Sequence, residues 1–328
     1  MLRYYQHFGL QRDPFLDTAD PQFYCELPSV RRNAQAVLAG IAESRGLTVV
    51  IGAPGTGKTS LSAFVEGSLL RDEGVVIGKI LDPTFATDVE FLLAIGRVFG
   101  LGLPPRSSAA LKNAIKNFFF DTAVLEEKNL VLLIDEAQNL TDEGLETLRL
   151  LLNFQIPQRK LLNLVLFGQS ELEGRILGRT NFADRVDRYI RLERLDRGGA
   201  AAMIEHRLVK AGKSPAARVF TTDAFDTIVA AGDGLPRRLA NIVRGAMGEA
   251  ADRSAEVVNV DHVAAALRAR GIPVPAAAAP APVVAAAPAT AYAAPNGAAE
   301  VLERPALIDT DPLSTRPSLL ARLFTRRA

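Results

Sequence analysis

The chain has 328 residues, with 38 lysines and arginines against 37 aspartates and glutamates and three histidines. That near-neutral balance excludes a global polyelectrolyte built to hold nucleic acid over its whole surface, while leaving room for a local basic patch. The single cysteine, Cys25, excludes an internal disulfide, and the lack of Cys/His clusters speaks against structural zinc; both fit a reducing cytoplasm. The opening Met1 to His7 lacks the apolar core of a signal peptide, and no apolar run approaches the roughly 20 residues needed to span a bilayer, so a soluble, cytoplasmic protein is expected.

Residues 1–28 carry a cluster of aromatics and prolines, among them Tyr4, Tyr5, Phe8, Phe15, Phe23 and Tyr24. This reads as an extended strap packing its rings across the domain body, a role compatible with a share in an adenine pocket. Ser29 is placed to cap a helix running to about Glu43. The apolar run Leu47–Ile51 then predicts a strand, and Gly52-Ala53-Pro54-Gly55-Thr56-Gly57-Lys58-Thr59 follows it directly. With Ser60 opening an apolar-periodic segment, the order is strand, glycine-rich loop, helix, which is the context a phosphate-binding loop requires. The glycines let consecutive N–H groups turn inward on an anion, and the helix adds its unpaired donors and dipole. Lys58 would reach the β- and γ-phosphates, and Thr59 would offer its hydroxyl to Mg²⁺.

Val75–Leu81 predicts a second strand, closed by Asp82-Pro83; Thr87 can cap a helix from Asp88 to Phe99, and another is expected from about Ser108 to Glu126. Leu130–Ile134 is wholly apolar, as a central parallel strand should be, and ends in Asp135-Glu136. After a phosphate loop, an acid at that strand end suits Mg²⁺ held through its water shell, which assigns Asp135, and the second carboxylate, Glu136, is the candidate base for the attacking water. A helix is expected over Thr141–Phe154 and a strand over Leu161–Phe167, after which Gln169 would either hold the attacking water or serve as a turn residue. Arg175, Arg179, Arg185, Arg188 and Arg191 recur in a short stretch. Most read as surface charges, but one or two could project into a neighbouring subunit's phosphate site.

Tyr189–Leu192 completes five strands with helices between them, giving an α/β/α sandwich around a mostly parallel sheet. From Asp196 the pattern is helical only, over about 198–212, 222–232, 236–252 and Asp261–Arg270, a small α-helical lid. Pro236 is placed to start one of these helices, and Arg237 in its first turn opposes the helix dipole, which favours a role over nucleotide phosphates against that of a solvated arginine. Residues 272–299 are nearly all alanine and proline, as in a disordered linker, and 300–328 form a basic amphipathic segment, either a docking helix for a partner or acidic membrane surface or a plain tail. The expected division is therefore a strap (1–28), a nucleotide-binding domain (29–195), a lid (196–271), a linker (272–299) and the C-terminal segment (300–328).

With the phosphate loop, Leu132-Leu133-Ile134-Asp135-Glu136-Ala137-Gln138-Asn139-Leu140, Gly168-Gln169-Ser170-Glu171-Leu172 and Gly234-x-Pro236-Arg237 in place, the chain resembles the AAA+ ATPases of the ExeA/GspA/MshM group, associated with type II secretion and pilus loci. The opening Tyr4-Tyr5-x-x-Phe8-Gly9-Leu10-x-x-x-Pro14-Phe15 is its most specific mark, and the likeness covers about residues 1–270. The resemblance implies a P-loop AAA+ fold, Walker A at Gly52–Thr59, Walker B at Asp135 and Glu136, sensor 1 at Gln169, a trans-acting arginine at Arg185 or Arg188, and sensor 2 at Arg237. It also implies ATP and Mg²⁺ as ligands, a homo-oligomer, commonly a ring, and a partner in an envelope machine. Ser170 stands where the group commonly has proline, and Gln155 where it often has glutamate. Secretion-type members commonly continue into a transmembrane helix and a peptidoglycan-binding domain. Neither is seen in this sequence, so a shorter soluble form like the pilus-locus members is the expectation, with a transposition-type, ATP-dependent DNA-binding regulator as the alternative.

Overall fold

The computed structural model describes residues 3–16, 21–157, 159–214 and 217–275; the readings for the C-terminal segment, and for all but the first residues of the linker, lie outside them. Five strands form the main sheet: β1 (Leu47–Gly52), β2 (Val75–Ile80), β3 (Asn129–Ile134), β4 (Leu162–Gly168) and β5 (Val186–Leu192). Their order is β2-β3-β4-β1-β5 and every pairing is parallel. β1 and β4 are buried along their whole length, because helices cover both faces and no residue of either strand faces water. Register does the rest. Ile51 lies opposite Gly168, and Ile134 opposite Leu166, so the carboxyl ends of β1, β3 and β4 open on one edge.

The helices around the sheet are α1 (Pro28–Ala42), α2 (Lys58–Leu69), α3 (Asp88–Val98), α4 (Ser108–Phe120), α5 (Asp142–Leu151) and α6 (Ser170–Leu177). Thr87 caps α3 by accepting from the Glu90 N–H at 3.2 Å, as its position predicts. Ser29 does not cap α1: that helix begins one residue earlier, at Pro28, with Leu27 before it and no side-chain cap. Proline's fixed φ and missing N–H suit the first helical position, so the backbone needs no hydroxyl there. α4 stops at Phe120 and the chain continues in a wider turn over Asp121–Leu125, where the Glu126 N–H reaches back to the Asp121 carbonyl. α5 ends at Leu151 rather than Phe154, giving way to a two-residue hairpin, Gln155–Ile156 against Arg159–Lys160. The sequence reading also lacks α6 and the short helical turn Thr180–Ala183, which the run of arginines masked.

Asp88 joins three of these helices. Its carboxylate accepts from Ser108 of α4 and Thr147 of α5, and from Lys112 Nζ at 3.0 Å. Burial raises the Asp88 carboxyl, but the hydrogen bonds from Ser108, Thr147 and Lys112 outweigh it and hold the group below its ordinary range. A depressed carboxyl gives stability that is fully present above its unfolded-state value and is lost as pH falls through the folded one. Asp88→Ala leaves the buried Thr147 hydroxyl and the Lys112 ammonium without this acceptor, and is expected to cost about 1–3 kcal/mol. Denaturant titration at pH 7 and below pH 4 checks it: the gap between native and variant should narrow at the acid end.

Four further helices, α7 (Arg197–Lys210), α8 (Thr222–Gly232), α9 (Pro236–Asp252) and α10 (Val260–Ala269), pack around Ile204, Leu208, Ile228, Leu239, Val243 and Leu267. The N-terminal aromatics belong to this cluster. Tyr5, Phe15 and Phe23 are buried with the helices rather than with the sheet, and the segment is not extended throughout, since Tyr4–His7 forms a helical turn. Several links fasten it, among them the Gln11 N–H donating to the Ala211 carbonyl at 2.8 Å, Arg12 Nη2 donating to the Lys210 carbonyl at 2.9 Å, and Arg207 Nη1 donating to the Pro14 carbonyl at 3.0 Å. Tyr24 then stacks on Phe64 of α2, with ring centroids 4.4 Å apart, so the segment touches both halves of the fold. Among the described residues no helix is long and apolar enough to cross a membrane.

Candidate functional site

The loop between β1 and α2 turns sharply because Gly55 (φ +82°) and Gly57 (φ +99°) hold left-handed conformations that residues with a Cβ avoid. Lys58 opens α2 and is 6% exposed. Its Nζ folds back over the loop, donating to the Gly52 carbonyl at 2.8 Å and the Ala53 carbonyl at 3.3 Å. Burial pushes the Lys58 ammonium below the usual lysine range; Glu136 and Asp135 pull it back up, and Arg237 adds to the depression. Those four groups, from three separate stretches of sequence, therefore share one electrostatic neighbourhood at the carboxyl edge of the sheet.

Asp135 follows β3 and is 2% exposed. Burial raises its carboxyl above the ordinary range, opposed by hydrogen bonds from the Glu136 N–H, at 3.0 Å, and from the Thr59 hydroxyl. The pairing of Thr59 with Asp135 tests the fit of the metal that a phosphate loop implies. The donors are hard oxygens, and among the described residues no group of three or more His, Cys, Asp or Glu could hold an ion unaided. One carboxylate and one hydroxyl suit Mg²⁺, which keeps several waters and takes its remaining ligands from substrate phosphates.

Glu136 sits in a left-handed conformation (φ +48°), unusual for a residue with a side chain, at the start of the turn Ala137–Asn139. Its carboxylate accepts from Gln138 Nε2 at 2.5 Å. Gln169 comes directly after β4, and its N–H donates to Gln138 Oε1 at 3.2 Å. Gln138 is the residue that sequence reasoning missed; it lies inside the quoted Asp135-to-Leu140 run, but nothing in a sequence says that its amide touches both flanking groups. Arg175, read as surface charge, donates to the carbonyls of Gln138 (2.9 Å) and Leu140 (2.6 Å) and pairs with Asp142 (2.7 Å), so it pins this turn.

α9 begins Pro236-Arg237, as the sequence predicts, with Gly234 (φ +64°) just before it; a Cβ there would lie 2.3 Å from the Leu195 carbonyl oxygen. The Arg237 N–H donates to the Gly55 carbonyl at 3.3 Å, so the first turn of α9 rests on the tip of the phosphate loop. A cavity of about 220 Å³ lies at this junction, with Pro54 and Gly55 on one wall and Arg237, Arg238, Asn241 and Arg270 on another. Its charged lining is basic, and Leu235, Ile242 and Ile272 make the rest largely apolar.

Arg185 and Arg188 lie elsewhere. They flank the start of β5, whose first residue pairs with Leu47 at the amino end of β1, six-residue β1 separating them from the phosphate loop. Arg188 Nη1 donates to the Ala36 carbonyl of α1 at 2.9 Å. Arg185 is half-buried, with no hydrogen bond or ion pair to its guanidinium among the described residues; its charge lowers Lys160, second to burial. Within one protomer, then, the loop Gly52–Ser60, Asp135, Glu136, Gln169 and Arg237 come together, and the two candidate trans-acting arginines do not join them.

Comparison with known proteins agrees with this geometry. An AAA domain family matches residues 41–176. General secretion pathway protein A of Aeromonas hydrophila is 31% identical over 279 residues, which is 82% of this chain and 49% of that protein. The chain thus spans about half the length of the curated relative it matches. Among solved structures, Cdc6p from Pyrobaculum aerophilum superposes with a TM-score of 0.63 at 16% identity, over 78% of this chain and 70% of that one. The ORC2 protein of Aeropyrum pernix gives 0.58 at 18%, over 79% and 71%. These two speak for the fold alone. The parallel sheet with its phosphate loop and the family match give the chain the P-loop AAA+ fold, and over 82% of its length it is similar to general secretion pathway protein A.

Proposed function

We propose that this chain binds and hydrolyses ATP as part of a homo-oligomer, and that nucleotide state drives assembly of an envelope machine of the secretion, pilus or polysaccharide-export kind. The observation that carries the proposal is the seating of the α9 first turn on the phosphate loop, through Arg237 N–H and the Gly55 carbonyl, because it couples the helical lid to whatever the loop holds. In the proposed reaction Lys58 moves from the loop carbonyls to phosphate oxygens and neutralises their charge. Glu136 takes the proton from the attacking water, and the Gln169 side chain, at the end of the neighbouring strand, orients that water. Mg²⁺, held by Thr59 and Asp135, would supply charge neutralisation across the phosphates. Arg237 follows the phosphates, so that their loss loosens α9 from the loop and the lid moves. The envelope role rests on the relationship to general secretion pathway protein A, and a partner in that machinery is part of the same proposal.

Arg185 is the better candidate for the arginine given to a neighbour. It is the one of the pair with no protein acceptor among the described residues, whereas Arg188 is tied to α1 of its own protomer. Its distance from its own phosphate loop is what a trans-acting group needs. Mixing two inactive variants tests the whole proposal. Arg185→Ala keeps an intact loop and Lys58→Ala keeps an intact arginine, so each alone should hydrolyse ATP at least about 100-fold slower than the native chain. Their mixture should recover a substantial fraction of native turnover. No recovery on mixing, with native turnover in Arg185→Ala, would remove the shared site.

A further inference from the structure

We infer that Gln138 is a positioning residue for ATP hydrolysis: it fixes the Glu136 carboxylate and links it to the backbone of Gln169. The inference rests on the proposed role of Glu136 as base. The orientation of the Gln138 amide is set by its surroundings. Its oxygen must face the Gln169 N–H, which only donates, and its nitrogen must face the Glu136 carboxylate, which only accepts. The flipped amide would set donor against donor and acceptor against acceptor, losing both bonds at once. Nor can the turn slide away, because the Arg175 guanidinium holds the Gln138 and Leu140 carbonyls while paired with Asp142.

The geometry also explains why the base needs such a support. Glu136 occupies a left-handed backbone conformation that points it off the end of β3, and a side chain of that length has free rotamers unless something holds its head. Gln138, two residues on in the turn, is the side chain that reaches back to it. Because the same planar amide accepts from the Gln169 N–H and donates to Glu136, a shift at the end of β4 reaches the carboxylate through that one amide group. Sensor and base would move together rather than through separate contacts.

Two variants and a double variant test this in the full chain, with ATP and Mg²⁺. Gln138→Leu removes both bonds at nearly constant volume. Gln138→Glu keeps the acceptor for Gln169 but sets a carboxylate against Glu136. Both should lower kcat about 10- to 100-fold while ATP binds at one per protomer with affinity within threefold of native, since misplacing a base costs rate rather than binding. In a Glu136→Gln background, Gln138→Leu should add no further loss, because Gln138 acts only through Glu136. Turnover within twofold of native in both single variants, alongside an inactive Glu136→Gln, would overturn this inference alone. A full multiplicative loss in the double variant would also overturn it, assigning Gln138 a merely structural part. Near-native turnover in Glu136→Gln would instead sink the reading of Glu136 on which the inference stands.

Discussion

Lys58→Ala is expected to weaken ATP binding at least about 100-fold and to leave no measurable hydrolysis, the largest binding effect of any single change in this chain. A 100-fold loss corresponds to about 2.7 kcal/mol, within reach of one buried charge donating to two phosphate oxygens. The ammonium is already desolvated, with its charge depressed by burial and its hydrogens spent on the Gly52 and Ala53 carbonyls. Phosphate oxygens are stronger acceptors than those carbonyls, so substrate binding relieves an unfavourable burial rather than creating one. Alanine has nothing to offer in exchange, and loop N–H groups alone must then balance a triphosphate. Equilibrium titration with a fluorescent ATP analogue at fixed Mg²⁺ measures the effect. A thermal midpoint within a few degrees of native would establish that the loop still folds, and an affinity within threefold of native would contradict the assignment of this lysine.

Glu136→Gln is expected to do the reverse: bind ATP at near-native affinity and hydrolyse it about 10²- to 10⁴-fold more slowly, the range a positioned base contributes. Glutamine preserves the shape and removes the basic oxygen. Binding should survive because phosphate contacts come from the loop and Lys58, and Asp135 with Thr59 remains to hold the metal. Single-turnover measurement with labelled ATP separates the two steps, since the variant should accumulate bound, uncleaved nucleotide. Turnover within tenfold of native would mean that another group, or solvent, takes the proton.

Much of this site was legible before any tertiary structure. The glycines at 55 and 57 announce a backbone that must turn left-handed, and the flanking apolar runs announce a strand and a helix, so local chemistry alone specifies the phosphate loop. Leu130–Ile134 could be read as a central strand because a segment covered on both faces has no reason to alternate. The same reasoning placed Pro236 at the start of its helix. It misplaced the start of α1, where Ser29 is a good cap by type but Pro28 already satisfies the first position.

What chain order and periodicity determined, then, are features whose cause lies within a few residues: the loop, the acidic strand end, the Thr87 cap and the five strands of the sheet. Tertiary structure alone decided which distant groups meet. Register between β3 and β4 brings Gln169 level with the turn after Asp135, and only there does the Gln138 amide acquire two partners. Packing likewise turned Arg175 from a surface charge into the pin of that turn, tied Arg188 to α1 while leaving Arg185 without such a tie, and gave the N-terminal aromatics to the helical cluster rather than the sheet. A side chain's type fixes what it can bond to. Which acceptor or donor it finds depends on strands and helices far apart in the chain, and no local pattern carries that information.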